Sequence, residues 1–482
     1  MSRHYPIRSL ACLVLLSGLT AGSVQADVVT DWNSVALDAV IAAREAQPTQ
    51  ARSVTMVHVA MFEAINAIEQ RYKPYVMKVS PSPGASREAA AAAAAHAILM
   101  KLYPGQSASF HKALTSSLSQ IADGEAKRSG VSLGERVAQE IYNTRAAEMA
   151  NSPNTYRPRT APGVYVPTTL PVATEAAMFK PWLMQEPAQF RPEAPIPLQS
   201  AQWARDYNEI KEMGGRDSTK RTSEQTAVGQ FWIVTGPPAW NPVIRALAVT
   251  KKLSLIENAR LFALAHMAGA DAYIAVFDAK YAYDFWRPIT AIRNGDLDGN
   301  ANTIHDPAWV PLIDTPMHPE YPCAHCITAA AVATVLKSEF GSRPIGPIAM
   351  TSPTAPGVTR TWHSIEDYVT DVNHARIWAG VLDRGRCRYG PQDRRPCCSK
   401  LYDGCCPMIS RRMTELSLSS LSSTVRGATG HDSAQASDLV QASVVLTLAR
   451  WRQVDYCRER NYPSKSMPSA NCRVRAAVSQ PC

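Results

Sequence analysis

Three permanent cations and one histidine stand in three short clusters of this 482-residue chain: Lys280 and Arg287, then His325, then Arg376. Arginine offers a planar pair of hydrogen-bond donors, lysine a point charge, and histidine a proton that moves near neutral pH. Such a set suits a tetrahedral or trigonal-bipyramidal oxyanion. The clusters therefore predict a site for phosphate or an anion of similar shape.

The middle cluster, Pro322-Cys323-Ala324-His325, directly precedes a helix predicted over 326–340. A helix N-terminus presents backbone N–H groups without partners and the positive end of the helix dipole, which favours anion binding. His325 is there a candidate general acid–base, or a donor to an apical oxygen. A capping or merely packed histidine is the alternative.

Cys323 and Cys326 have the spacing of a redox pair or of half a metal site. No βαβ pattern surrounds them, and zinc would need two more ligands. A local disulfide or two free thiols is the simpler interpretation.

These spacings resemble the three-part signature of the vanadium-dependent haloperoxidases and their relatives, the type 2 phosphatidic acid phosphatases. The first two parts read lysine, six residues, Arg-Pro, and then Pro-Ser-Gly-His. Lys280 and Arg287-Pro288 complete the first part, whereas the second has Cys323 for serine and Ala324 for glycine. The similarity extends over most of 27–381, including the stretches 28–33, 56–68, 285–293 and 318–322.

The third part of the signature reads Ser-Arg, five residues, His. This chain keeps Arg376 and Gly380 but has Leu382 where the family has its second histidine. In the haloperoxidases that histidine coordinates vanadium, and in the phosphatases it is the nucleophile. Leucine has neither a lone pair nor a proton to give. The chain is thus either a degenerate enzyme or a sequence altered after Val381.

The resemblance also implies a role for each matching residue. Cys323 would contact the anion in place of the family's serine, although a thiol donates more weakly than a hydroxyl. His325 would be the acid–base, and no residue of this chain would ligate the metal. The residues implied to bind the equatorial oxygens of vanadate or phosphate are Lys280, Arg287, Arg376 and, through its backbone, Ala324.

Helical periodicity dominates the chain up to residue 380, and no long stretch alternates strictly, so the sequence predicts an all-α fold. The resemblance implies helix bundles of the vanadium chloroperoxidase and acid phosphatase type, with the anion site between helices. We expect an N-terminal helical lobe over 27–150 and a second lobe with the site over 200–381. The predicted helices are 31–46, 53–68, 86–103, 107–121, 132–149, 201–212, 223–234, 253–276, 326–340 and 365–379.

Between these lobes, residues 151–199 contain 10 prolines, which exclude a long helix. A disordered linker is one interpretation. Five large aromatic residues instead favour an ordered loop packed on the helices. They are Tyr156, Tyr165, Phe179, Trp182 and Phe190.

The two ends of the chain differ from its body. Residues 1–26 have the basic start, short apolar segment and small-residue end of a secretory signal peptide, so a periplasmic or extracellular location is expected. About 10 apolar residues are too few to span a membrane, and no stable membrane span is expected.

The net charge of +9 is concentrated after residue 382, where 16 basic and 8 acidic residues lie. The near-neutral body therefore gives no reason to expect a nucleic-acid partner.

Residues 382–482 form an anomalous tail rich in cysteine, arginine and serine, with 8 of the 11 cysteines and poor helical periodicity. We interpret the tail as frameshifted or disordered, because one permitted codon choice for 382–395, read one nucleotide later, gives an amphipathic helix start. A cysteine-rich metal or disulfide module is the alternative, but no two-by-two metal spacing appears.

The function expected from the resemblance is a secreted vanadate-dependent haloperoxidase, with hydrogen peroxide and halide as substrates, impaired here by the lost histidine. A phosphomonoesterase acting on phosphate esters is the alternative on the same fold, since vanadate and phosphate have nearly the same shape. A non-catalytic, exported anion-binding protein is the alternative from another class.

Overall fold

The computed structural model describes residues 27–75, 80, 82–150, 154–341 and 346–382. The signal peptide predicted for 1–26 and the tail after Leu382 lie outside these residues. The described part is mostly helical, which confirms the all-α prediction. Its helices are α1 (Val28–Ala42), α2 (Gln47–Glu69), α3 (Arg87–Leu102), α4 (Ser107–Ser119), α5 (Glu125–Arg145), α6 (Ala147–Ala150), α7 (Ala201–Gly214), α8 (Ser223–Phe231), α9 (Pro237–Lys251), α10 (Leu255–Tyr283), α11 (Pro288–Arg293), α12 (Ala324–Phe340) and α13 (Ile365–Trp378).

Helix α10 is the centre of the core. It is apolar on nearly all sides, as a helix enclosed by others must be, and it packs against α1, α2, α9 and α12. Ser254 and Glu257 form a capping box that fixes its start. By length and composition α10 could cross a membrane, but 94% of its most apolar window is buried inside the protein.

The proline-rich segment is tied to α10 by one buried carboxylate. Asp271 accepts hydrogen bonds from the backbone N–H groups of Trp182, Leu183 and Met184, at 2.6 to 2.8 Å. Burial raises the pKa of Asp271 to about 6, although the three N–H donors oppose that rise. The Arg145 guanidinium lies 3.5 Å from the Trp182 ring centroid and holds the same turn from the other side.

A second buried polar cluster joins α1, α2, α9 and α10. His58 stacks on His266 with ring centroids 4.6 Å apart. Asn33 hydrogen-bonds to His58 at 2.8 Å and donates to Asn241 at 2.6 Å, while Asn241 also contacts His266. The pKa of His266 is lowered to about 3, chiefly by burial and further by the Arg245 charge. The pKa of His58 is lowered well below its ordinary value, chiefly by burial and then by the nearby His266 and Arg245. Both rings are therefore neutral in the folded protein.

Three local features differ from the sequence prediction. Helix α9 was not predicted, because its three prolines indicate a helix breaker. Pro237 and Pro238 lie in the first turn, where proline is compatible with a helix, and Pro242 lies inside it. The sequence predicts no regular element between the helices 326–340 and 365–379, but β1 (Ile348–Ser352) and β2 (Ala355–Trp362) form an antiparallel hairpin there. Lys280 was expected after the buried helix and instead lies in its last turn, because α10 continues to Tyr283.

The histidine pair predicts acid-sensitive folding. A histidine whose folded pKa lies below its unfolded value of about 6.5 binds more protons when unfolded, so stability falls as pH drops from about 6.5 toward 3. Each histidine contributes a slope of up to about 1.4 kcal/mol per pH unit. Urea unfolding at several pH values should show His266→Gln with a flatter slope than the parent chain.

The exposed His363 provides the matched control. His363→Gln should leave the pH slope unchanged. An identical pH slope for His266→Gln and the parent would contradict the assignment. Comparing variants matters because Asp271, with its raised pKa, contributes a slope of opposite sign between about pH 3.8 and 6.

Candidate functional site

The Lys280 ammonium is enclosed in the last turn of α10, with no exposed surface. It donates to the backbone carbonyls of Pro319 and Glu320 at 2.9 and 2.6 Å. These carbonyls belong to the segment that runs directly into Cys323 and α12. Lys280 thereby connects the first cluster to the second.

Arg287 forms the N-cap of α11, just after the turn that ends α10, and is 2% exposed. Its Nε donates to the His318 carbonyl at 2.7 Å, and its Nη1 donates to the Val381 carbonyl at 2.9 Å. One guanidinium thus joins the approach to α12 and the segment after α13. Burial lowers the pKa of Arg287 to about 10, so the cation persists at neutral pH.

His325 lies in the first turn of α12. Its ring hydrogen-bonds to the backbone at Val234 and Trp232, and its Nε2 is buried without a hydrogen-bond partner. Burial lowers the pKa of His325 well below its ordinary value, and the charges of Arg376 and Lys280 lower it further. A neutral ring at physiological pH is suited to accept a proton, or a hydrogen bond from a protonated ligand oxygen, at Nε2.

Arg376 lies in the last turn of α13 and is 4% exposed. Its Nη1 donates to the Trp232 carbonyl at 2.8 Å. The same backbone segment holds the His325 ring, so the third cluster meets the second at the end of α8. His325 and Arg376 thus share the backbone at Trp232. Lys280 and Arg287 bind neighbouring carbonyls within 318–320, in the segment that leads to α12.

Cys323 is the N-cap of α12 and forms a disulfide with Cys326. Its sulfur accepts the Cys326 backbone N–H at 3.2 Å. A disulfide has no S–H to donate, so the thiol donor implied for Cys323 is absent from the oxidised chain. Ala324, in contrast, begins α12, where backbone N–H groups have no intrahelical partner.

Leu382 occupies the position at which the resemblance expects histidine. The side chain is 4% exposed and packs with Cys323, Cys326 and Ile377. Position 382 therefore faces the N-terminal end of α12.

A tight turn brings Leu382 to that place. Gly380 has φ +75, a conformation that side chains rarely adopt. A Cβ on Gly380 would stand 2.3 Å from the carbonyl oxygen of Gly214 in α7. Only glycine lets the chain turn here against α7 and return toward Arg287.

Two further residues, His318 and Trp232, hold the cations of the site in place. His318 receives a hydrogen bond from Arg287 Nη2 at 2.9 Å on its ring Nδ1, and its ring lies 5.0 Å from that of Phe277. Trp232 is fully buried and offers the carbonyl to Arg376. His318 was within a stretch that resembles the family and could have been found there, whereas a backbone carbonyl leaves no sequence signal.

The residues fit an oxyanion but not a metal–nitrogen bond at position 382. Three buried cations and a helix N-terminus suit the ionised oxygens of vanadate or phosphate, and the unpartnered Nε2 of His325 suits a protonated one. Leu382 offers no lone pair for vanadium. Within the described ranges, no group of three or more His, Cys, Asp or Glu is placed to hold a metal ion.

Fold and site together define a mostly helical protein with three buried cations close to the N-terminus of one helix. Residues 260–385, which contain all three clusters, match the family model described as the VCPO second helical-bundle domain. A vanadium chloroperoxidase of Curvularia inaequalis is 34% identical over 160 residues, which cover 27% of this chain. The match spans 26% of that protein's length.

Solved structures extend the similarity beyond this domain. The crystal structure of a bacterial vanadium-dependent iodoperoxidase superposes with a TM-score of 0.65 and 20% identity, covering 80% of this chain and 95% of that one. An apo bacterial vanadium-dependent chloroperoxidase gives a TM-score of 0.57 and 16% identity over 75% of this chain and 93% of its own. The chain therefore shares the fold of the bacterial vanadium-dependent haloperoxidases, and its residues 260–385 match the family model of their second helical-bundle domain. The helix-bundle prediction is confirmed.

Arg376 offers a direct test of the site. Arg376→Ala should weaken phosphate binding by about tenfold to a hundredfold, because a charge-assisted hydrogen bond is lost. Arg376→Lys should lie between this variant and the parent, since it keeps the charge but not the planar donor pair. Isothermal titration with inorganic phosphate measures the affinities.

The control is Arg128→Ala, which removes an arginine on α5 whose side chain is 72% exposed. This variant should bind phosphate as tightly as the parent. Equal phosphate affinities for Arg376→Ala and the parent would show that Arg376 does not contact the anion.

Proposed function

We propose that this chain carries a haloperoxidase-type site that binds vanadate or phosphate but turns over little. One observation carries the proposal. Buried cations surround the N-terminus of α12, while a leucine packs on Cys323 where a ligand or nucleophile is needed. Binding loses one contact through this leucine, whereas catalysis loses the atom that bonds to vanadium or phosphorus.

In this proposal each residue keeps a defined task. Lys280, Arg287 and Arg376 hold the equatorial oxygens, and the helix N-terminus at Ala324 adds a backbone donor. His325 Nε2 takes a proton from the apical oxygen or its attacking partner. Vanadate, when bound, would supply the centre at which hydrogen peroxide oxidises halide.

Phosphomonoester hydrolysis is the second candidate, because the same cations stabilise the transferring phosphoryl group. It depends even more on a nucleophile at position 382, since no phosphoryl-enzyme forms without one. An exported protein that only binds the anion is the third candidate, and Leu382 favours it over a working phosphatase.

The proposal includes export and an altered tail. The signal-peptide pattern of 1–26 supports a periplasmic or extracellular location. The abrupt change of composition after Val381 supports a change of reading frame. Sequencing the gene around codon 382 tests the change of reading frame. Determining the N-terminal residue of the exported protein tests cleavage of the signal peptide.

Turnover by the unmodified chain should be at or near background in both reactions. Bromide oxidation with hydrogen peroxide and added vanadate, and hydrolysis of nitrophenyl phosphate, are measured side by side. Either activity, abolished by Arg376→Ala, would show that Leu382 is tolerated and that the catalytic assignment is wrong.

Leu382→His alone should restore little activity. An imidazole must be held by its neighbours to within about 0.5 Å to act, and the residues after 382 do not follow the family's helical pattern. A variant carrying the restored frame from codon 382 should regain histidine and helix together, and with them activity. Full activity of Leu382→His by itself would show that the following segment is not needed.

A further inference from the structure

We propose that the Cys323–Cys326 disulfide is a redox switch of the oxyanion site, with the disulfide form binding the anion more tightly than the dithiol form. The inference rests on the proposed function, because it concerns affinity at the same site. The alternatives are that the disulfide only stabilises the fold or that the two thiols are inert. In neither case would the affinity for the anion depend on the redox state in this way.

The position of the two sulfurs carries the argument. Cys323 is the N-cap and Cys326 the third residue of a 17-residue helix. The Cys326 N–H already points at the Cys323 sulfur, at 3.2 Å. A Cys-X-X-Cys pair at a helix N-terminus favours the thiolate of its first cysteine, because the dipole and the backbone N–H stabilise negative charge.

The surroundings strengthen this preference. His325 lies between the two cysteines and interacts electrostatically with both Arg376 and Lys280. The buried Nε2 of His325 has no hydrogen-bond partner, so the neutral ring adds no charge that would oppose these two cations. A thiolate on Cys323 would therefore stand within a cationic pocket built to receive negative charge.

Reduction and oxidation then change the charge of the pocket. A dithiol reductant attacks one sulfur through its thiolate, breaks the Cys323–Cys326 bond and ends as its own disulfide. Two electrons pass to the cysteine pair, one sulfur takes a proton, and Cys323 keeps its negative charge. That charge neutralises part of the cationic field and repels a bound dianion.

Burial limits which reductants can reach the switch. Cys323 has no exposed surface and Cys326 is 7% exposed. A small dithiol or phosphine is expected to reduce the pair slowly, and a bulky thiol more slowly still. The redox state should therefore persist during a binding measurement.

The test is phosphate affinity of the full chain before and after complete reduction, measured by isothermal titration near pH 8 under anaerobic conditions. Reduction should weaken binding by about tenfold, as expected for one added charge within a few ångströms of the anion. The double variant Cys323→Ser/Cys326→Ser keeps the other nine cysteines and should bind equally with and without reductant.

Each outcome has a defined meaning. Equal affinity of the oxidised and reduced parent, or the same loss in the double variant, overturns the switch while the oxyanion site stands. No phosphate binding by the oxidised chain overturns the proposed function and the switch together.

A second readout does not involve the anion. The difference in thiolate absorbance between the reduced parent and the double variant should show a Cys323 thiol with a pKa below about 7.5. An ordinary thiol pKa of about 8.5 would overturn the charge argument.

Discussion

The buried guanidinium of Arg287 is the contact on which the site depends. It lies at the junction of α10 and α11 and donates to carbonyls that flank both other clusters, at His318 and Val381. Removing a guanidinium from water is costly unless its donors are satisfied. The three clusters must therefore meet around it, and the segments that carry Lys280 and Arg376 are held in the same place.

Carbonyl oxygens are prominent partners of these cations. Lys280, Arg287 and Arg376 each donate to backbone carbonyls that belong to loops or helix ends. Carbonyls hold a cation in place without cancelling its charge, although the buried Glu320 carboxylate offsets part of the charge on Arg287. The dipole of α12 adds to the positive field of these cations. The fold thus prepares the site electrostatically, and the residue at position 382 decides what chemistry follows.

The sequence revealed the cations and the helix N-terminus because charged side chains at fixed spacing are visible in it. Helix α9 was hidden, since Pro242 lies inside it and proline usually breaks a helix. The hairpin was hidden because β1 has only five residues and because Pro356 and Gly357 lie inside β2. The Trp232 carbonyl could not be foreseen, as any residue has one. Such partners depend on tertiary packing that periodicity does not encode.

The contact between Gly380 and Gly214 limits how this protein can vary. The two residues are far apart in sequence, yet a Cβ on either one would overlap the backbone of the other, at 2.3 and 2.5 Å. Neither glycine can be replaced alone without moving α7 away from the end of α13. Neighbouring side chains can repack around substitutions elsewhere in the helices. At these two positions the backbones themselves are in contact, so no side chain can move to make room. These two positions must therefore stay glycine while the rest of the sequence changes, whether or not the protein is catalytically active.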